Sequence, residues 1–227
     1  GLLGYSSRGD VAKEMIVATE SQSARLVQIG EKSLDEIRKD SELFQFAVAG
    51  GASAYRVNCI QCHGAGAEGS GIYPNLNDDD WLWGGKLEDI HTTLKHGIRF
   101  AQDEDTRTSE MPAFGRDEIL EKSDINDVAE FVLKLSNQDH DAAAAGRGAT
   151  VYADNCAACH GEQGAGDPEQ GAPNLADAIW FYGSTKAELV AQVSSPKQGV
   201  MPAWQGRLDE ATLKQLTVYV HSLGGGE

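Results

Sequence analysis

Cysteine is scarce in this 227-residue chain, with four residues, too few for a disulfide-dense scaffold of this size. Long apolar runs are missing. The longest candidate, Phe46 to Ala49, falls far short of the roughly 18–20 residues that span a bilayer, and no basic stretch precedes a short apolar core as in a signal peptide. Gly1 rather than Met at the start leaves room for a removed export signal or anchor. Basic side chains are few, 19 against 35 acidic ones, and the net charge of −16 excludes nucleic acid as a partner, repels anionic lipid headgroups and favours basic proteins. With 24% charged and 41% hydrophobic residues, neither disorder nor a membrane bundle fits. Glycine is plentiful at 26 residues, which points to loop-rich modules, and the length allows one large domain or two small ones.

The arrangement of the cysteines carries more than their number. Cys59, Cys62 and His63 form one Cys-x-x-Cys-His segment, and Cys156, Cys159 and His160 form a second. Two thiols a short helical turn apart can each add to a vinyl group of one haem, leaving the adjacent imidazole to reach its iron. The competing chemistries are a thioredoxin-like redox pair, a zinc site and simple disulfides. A four-thiolate zinc ribbon separates its pairs by roughly 15–20 residues, whereas these pairs stand 97 residues apart. A redox pair needs no following histidine, still less twice.

The repeat extends beyond these segments. At the same offset of 97, Gly51, Ala52 and Tyr55 recur as Gly148, Ala149 and Tyr152. Pro74-Asn75-Leu76 and Trp81 recur at offset 99 as Pro173-Asn174-Leu175 and Trp180, and Met111-Pro112-Ala113 recurs at offset 90 as Met201-Pro202-Ala203. Such self-similarity marks a duplicated domain. Few segments alternate apolar and polar residues over strand length, so the expected fold is all-α, with two tandem cytochrome c-like domains behind an N-terminal helical arm. The expected divisions are 1–43 for the arm, 44–137 for the first domain, 138–146 for a linker and 147–227 for the second domain. Gly30 is expected to interrupt the arm. Helices are expected from Phe44 through Tyr55 into the first attachment segment, over Leu87–His96, and over Ser123–Leu135 with a Ser123-Asp124 cap. The second domain is expected to repeat them over Gly146–Cys159, over Lys186–Val193, and after Asp209 until Gly224-Gly225-Gly226.

A haem iron held by His63 or His160 needs a sixth ligand if it is to cycle electrons without binding small molecules. A thioether is neutral and soft and favours Fe(II). Two of the three methionines stand in the matched Met-Pro-Ala contexts, Met111 lying 48 residues after His63 and Met201 lying 41 after His160. In sequence order, Met111 therefore pairs with His63 and Met201 with His160. Met15 has no such context and reads as packing or surface. His91 and His96 lie between the first attachment segment and Met111 and leave a bis-His alternative there, whereas His140 and His221 read as ordinary histidines. Pro74 and Pro173 offer rigid carbonyls to the far nitrogen of each imidazole. Arg99, in His96-Gly97-Ile98-Arg99, is a candidate donor to a haem propionate, and Trp81 and Trp180 are candidates for the haem edge.

These residues resemble the dihaem cytochrome c subunit of cbb3-type haem-copper oxidases. The resemblance covers nearly the whole chain and is carried by Gly1-Leu2-Leu3-Gly4-Tyr5, Leu43-Phe44-Gln45-Phe46-Ala47-Val48, His96-Gly97-Ile98-Arg99 and the Met-Pro-Ala pair. It implies two covalently attached haem c groups with ligands His63, Met111, His160 and Met201. It further implies a soluble periplasmic portion following a membrane anchor absent from this chain, at the inner membrane. In that role, electrons taken from a basic donor cytochrome pass to a monohaem cytochrome c subunit and the catalytic subunit of the oxidase. Oxygen reduction resides elsewhere. The alternatives are a free dihaem shuttle and a dihaem peroxidase or ligand sensor with one open iron, the last disfavoured by a methionine in the same context in both halves.

Overall fold

The computed structural model describes residues 7–224, so the Gly1–Tyr5 segment and Gly225-Gly226 lie outside the described residues. Ten helices order the described chain, and its only β-structure is a handful of isolated bridges. α1 (Ser7–Glu31) runs through Gly30, where a side chain would meet nothing within 4 Å. The expected break there does not occur, because an open helical position tolerates glycine at a cost of only about 1 kcal/mol. Lys214 secures the end of α1 by donating to Gly30 O (2.8 Å) and Lys32 O (2.7 Å). α2 (Leu34–Lys39) opens with a capping box in which Ser33 and Glu36 satisfy each other's backbone N–H groups. α3 (Ser41–Asn58) is capped by Asp40 and so begins three residues before the expected Phe44.

The expected arm is only partly an arm. Val11, Met15, Ile16 and Val17 are each more than half exposed, but Ile29, Leu34, Ile37 and Leu43 are buried with Ala47, Leu87 and Val218 in one apolar core.

α4 (Ile60–His63), α5 (Leu87–His96) and α6 (Lys122–Leu135) follow. α6 starts after Glu121 with no side-chain cap, one residue earlier than the Ser123-Asp124 signal suggested. The expected linker is mostly helix: Asp141 accepts from Ala143 and Ala144 N–H and opens α7 (Ala142–Asn155), leaving six residues between α6 and α7. α8 (Ala157–His160), α9 (Lys186–Ser194) and α10 (Glu210–His221) complete the chain.

The lobes are not the consecutive halves that the repeat suggested. α6 packs on α7 and α9, whereas α10 packs on α3 and α5. The first lobe therefore combines α3, α4 and α5 with the last helix, and the second combines α7, α8 and α9 with α6. The helix that follows each methionine has crossed to the other lobe. Glycine makes both crossings close. A methyl on Gly51 would collide with the Gln215 carbonyl and Tyr219 Cβ of α10, and one on Gly148 would collide with the Asp127 carbonyl of α6.

Candidate haem sites

Each Cys-x-x-Cys-His segment is a short turn set at the end of a long helix. Cys59 ends α3 and Cys156 ends α7, each with its backbone N–H bonded to a tyrosine carbonyl one turn back, Tyr55 or Tyr152. Those tyrosines are buried, and their hydroxyls donate to Gly64 O (2.9 Å) and Gly161 O (2.8 Å) just past the histidines. Gly64 and Gly161 have φ of 82° and 76°, the left-handed region that turns the chain out of the segment.

The Gly-rich loop then returns a proline carbonyl to the imidazole. His63 Nδ1 lies 3.1 Å from Pro74 O, and His160 Nδ1 lies 3.0 Å from Pro173 O. A carbonyl only accepts, so Nδ1 carries the proton and Nε2 is left as the coordinating atom. Burial lowers the pKa of both histidines, only partly offset by the proline carbonyls, which favours the neutral ring a metal requires. All four cysteines are free of disulfides. Among the described residues, the cluster of metal-ligating groups within 4.8 Å is His96, Asp103 and Asp105, which includes no cysteine, so the thiols do not converge on one zinc.

The methionines are exchanged relative to sequence order. Met201, Cys59, Trp81 and Trp204 pack against the first lobe's core around Tyr55, and Met111, Cys156 and Trp180 pack against the second lobe's core around Tyr152. The backbone agrees. Trp204 and Gln205 donate to Leu94 O and Lys95 O at the end of α5, while Arg116 donates to Ser194 O at the end of α9. The expected pairing of Met111 with the His63 lobe and Met201 with the His160 lobe is thus corrected. The cause is the crossing of α6 and α10, each of which carries its upstream Met-Pro-Ala loop with it.

The remaining candidates separate. His96 Nδ1 stands 3.1 Å from Asp103 Oδ1, whereas His91 Nε2 approaches Glu210 at 3.4 Å and is buried without a hydrogen-bond partner among the described residues. Arg99 Nε donates to Gly199 O and its Nη1 to Ser109 O. Among the described residues, Trp81 Nε1 and Arg107 Nε, like His91 Nε2, are buried with no hydrogen-bond partner. Orphaned buried donors are costly, and a cofactor with carboxylate side arms, as haem has, is the kind of group that satisfies them. Arg107 escaped notice in the sequence because no repeat marks it. It also lies over the Trp83 ring, 5.4 Å from its centroid.

Two family descriptions match the chain: "Cytochrome c" over residues 48–136 and "Cytochrome C oxidase, cbb3-type, subunit III" over residues 143–220. Among curated relatives, the cbb3-type cytochrome c oxidase subunit CcoP of Cereibacter sphaeroides is 51% identical over 227 residues, which is all of this chain and 78% of the relative. The subunit FixP of Rhizobium meliloti shows the same identity and coverage. CcoP of Azospirillum brasilense is 49% identical over 234 residues, covering all of this chain and 79% of the relative. Cytochrome c domains carry covalently bound haem c, and this chain has two. Duplicated attachment segments, paired proline carbonyls and full-length likeness converge on one conclusion: the chain belongs to the CcoP/FixP family of cbb3-type cytochrome c oxidase subunits, the dihaem electron-transfer cytochromes of that oxidase.

Proposed function

We propose that this chain relays electrons from a basic donor cytochrome to the monohaem cytochrome subunit, and so to the catalytic subunit, of a cbb3-type oxidase. It acts at the periplasmic face of the bacterial inner membrane, and oxygen reduction takes place in another subunit. Cys59 and Cys62 hold one haem and Cys156 and Cys159 the other. His63 and Met201 close the first iron; His160 and Met111 close the second. Haem c supplies a carrier that accepts and releases one electron at a time.

The chain's own groups set the conditions for that carrier. Pro74 and Pro173 fix each imidazole by accepting the Nδ1 proton. With a histidine and a methionine both holding each iron, small ligands would be excluded, and the neutral sulfur would favour the reduced state. Trp81 and Arg107 hold buried N–H donors that the carboxylates of the first haem would satisfy. The net charge of −16 steers a basic donor toward the chain. Residues 148–185, which surround the second attachment segment, contain no lysine or arginine. The matching rim of the first segment instead exposes Val57, Ile60, Ile72 and Tyr73.

The observation that carries this reading is that each lobe packs one Cys-x-x-Cys-His turn and one methionine against the same apolar core. A redox titration with optical spectra tests it. Two haems with Met/His spectra are expected, and Met111→Ala and Met201→Ala should each lower one midpoint potential and open one iron to carbon monoxide. A variant with an unchanged titration and no carbon monoxide binding removes that methionine from the assignment.

A further inference from the structure

The two methionine loops meet at a single side chain. Arg99 sits in a left-handed backbone conformation, φ 52°. Its Nε–H donates to Gly199 O at 2.7 Å and its Nη1–H to Ser109 O at 3.1 Å. Each acceptor stands two residues before a methionine, Gly199 before Met201 and Ser109 before Met111. The surrounding backbone reinforces the junction. Ile98 exchanges both of its backbone hydrogen bonds with Met201, at 2.9 and 3.0 Å. Gln198 Nε2 donates to Met111 O at 3.3 Å. Gly97, with φ 67°, lies so close to the Met201 carbonyl that no side chain fits there.

We infer that Arg99 is a positioning residue shared by both distal ligands, clamping the Met111 and Met201 loops together so that the hold of each sulfur on its iron depends on the same guanidinium. This rests on the proposed methionine ligation, but not on which histidine each methionine faces. Arginine suits the task because its planar fork carries fixed, divergent N–H groups and keeps its charge when half-buried. Hydrogen bonds from a charged donor are the stronger kind, and the two carbonyls lie on segments that otherwise belong to different lobes. A lysine is a single point donor on a flexible stem and cannot reproduce both bonds in fixed geometry.

The test uses the protein with both haems attached. In a Met111→Leu background the far-red sulfur-to-iron(III) charge-transfer absorbance reports Met201 alone, and in a Met201→Leu background it reports Met111 alone. Arg99→Gln in each background should raise the ratio of methionine-off to methionine-bound iron about tenfold, the consequence of losing one charged hydrogen bond per loop. Helix content by circular dichroism should be unchanged. Arg99→Lys should rescue one lobe at most. A methionine-off to methionine-bound ratio that Arg99→Gln leaves unchanged in either background overturns the shared clamp, as does full rescue of both ratios by lysine. Should Arg99→Gln fail to accumulate, Arg99→Lys decides alone: weakening in at least one lobe supports the clamp, and two intact bands overturn it. If the single leucine variants themselves leave the band untouched, methionine ligation rather than the clamp has failed.

Discussion

A phenol under each attachment turn shows what single side chains do here. Burial raises the pKa of Tyr152 to about 12 and that of Tyr55 further, so both hydroxyls remain protonated donors to Gly161 O and Gly64 O. Tyr55→Phe and Tyr152→Phe should each lower stability by about 1 kcal/mol, the usual net worth of one intramolecular hydrogen bond, with the loss read from urea denaturation. The repeat made both tyrosines visible in the sequence, as it did the cysteines, histidines, methionines and prolines. Arg99 was visible as well, but its partners are the backbone carbonyls of Gly199, 100 residues further along the chain, and Ser109, 10 residues further, and no side-chain pattern marks a carbonyl. Trp81 was visible as a repeat member, whereas Arg107 has no repeated counterpart to draw attention to it.

Helices are decided by their faces, and the faces decide which lobe a helix joins. Gly51 on α3 admits the Gln215 backbone of α10, and Gly148 on α7 admits the Asp127 backbone of α6. Gly51→Ala should therefore destabilise the first lobe by about 1–3 kcal/mol, the scale of overpacking a closed interface, and lower the thermal midpoint accordingly. Helix positions were largely legible from apolar spacing and caps. The exchange of α6 and α10 was not, because duplication gives both long helices the same glycine-marked groove and both closing helices a matching apolar face. One signal did point the right way. With six residues between α6 and α7, those helices are held as antiparallel neighbours, and an Ala-rich stretch read as linker hid α7's first turns. The family descriptions, which follow the chain in order, match 48–136 and 143–220 as consecutive stretches and are indifferent to the exchange.

At the scale of the whole molecule, charge and the seam between lobes carry the consequences. Asp80 and Asp78 of the first lobe face Asp177 of the second, and burial with that repulsion raises Asp80 to about 6. A carboxyl raised above its unfolded value destabilises the fold where it is ionised, so stability is gained as pH falls from 7 through about 6 toward 4 and is lost on the way back up. Asp80→Asn should stabilise the protein at neutral pH by about 1–2 kcal/mol, read as a higher melting temperature, and change its stability little near pH 4. The acidic surface makes a second demand: reduction by a basic cytochrome should slow steeply as ionic strength rises, and Asp154→Lys with Glu169→Lys should slow it more than Ile72→Lys does. Stopped-flow rates across a salt series that show no slope, or an equal response to all three substitutions, contradict steering toward the second lobe. The central claim is the crossed pairing of histidines and methionines. Its most direct measurement is a crystal structure of the dihaem protein with anomalous data collected at the iron edge, which locates both irons independently of the side chains. The Met201 sulfur is expected on the iron held by His63 and the Met111 sulfur on the iron held by His160; Met111 on the iron of His63 contradicts the crossed pairing.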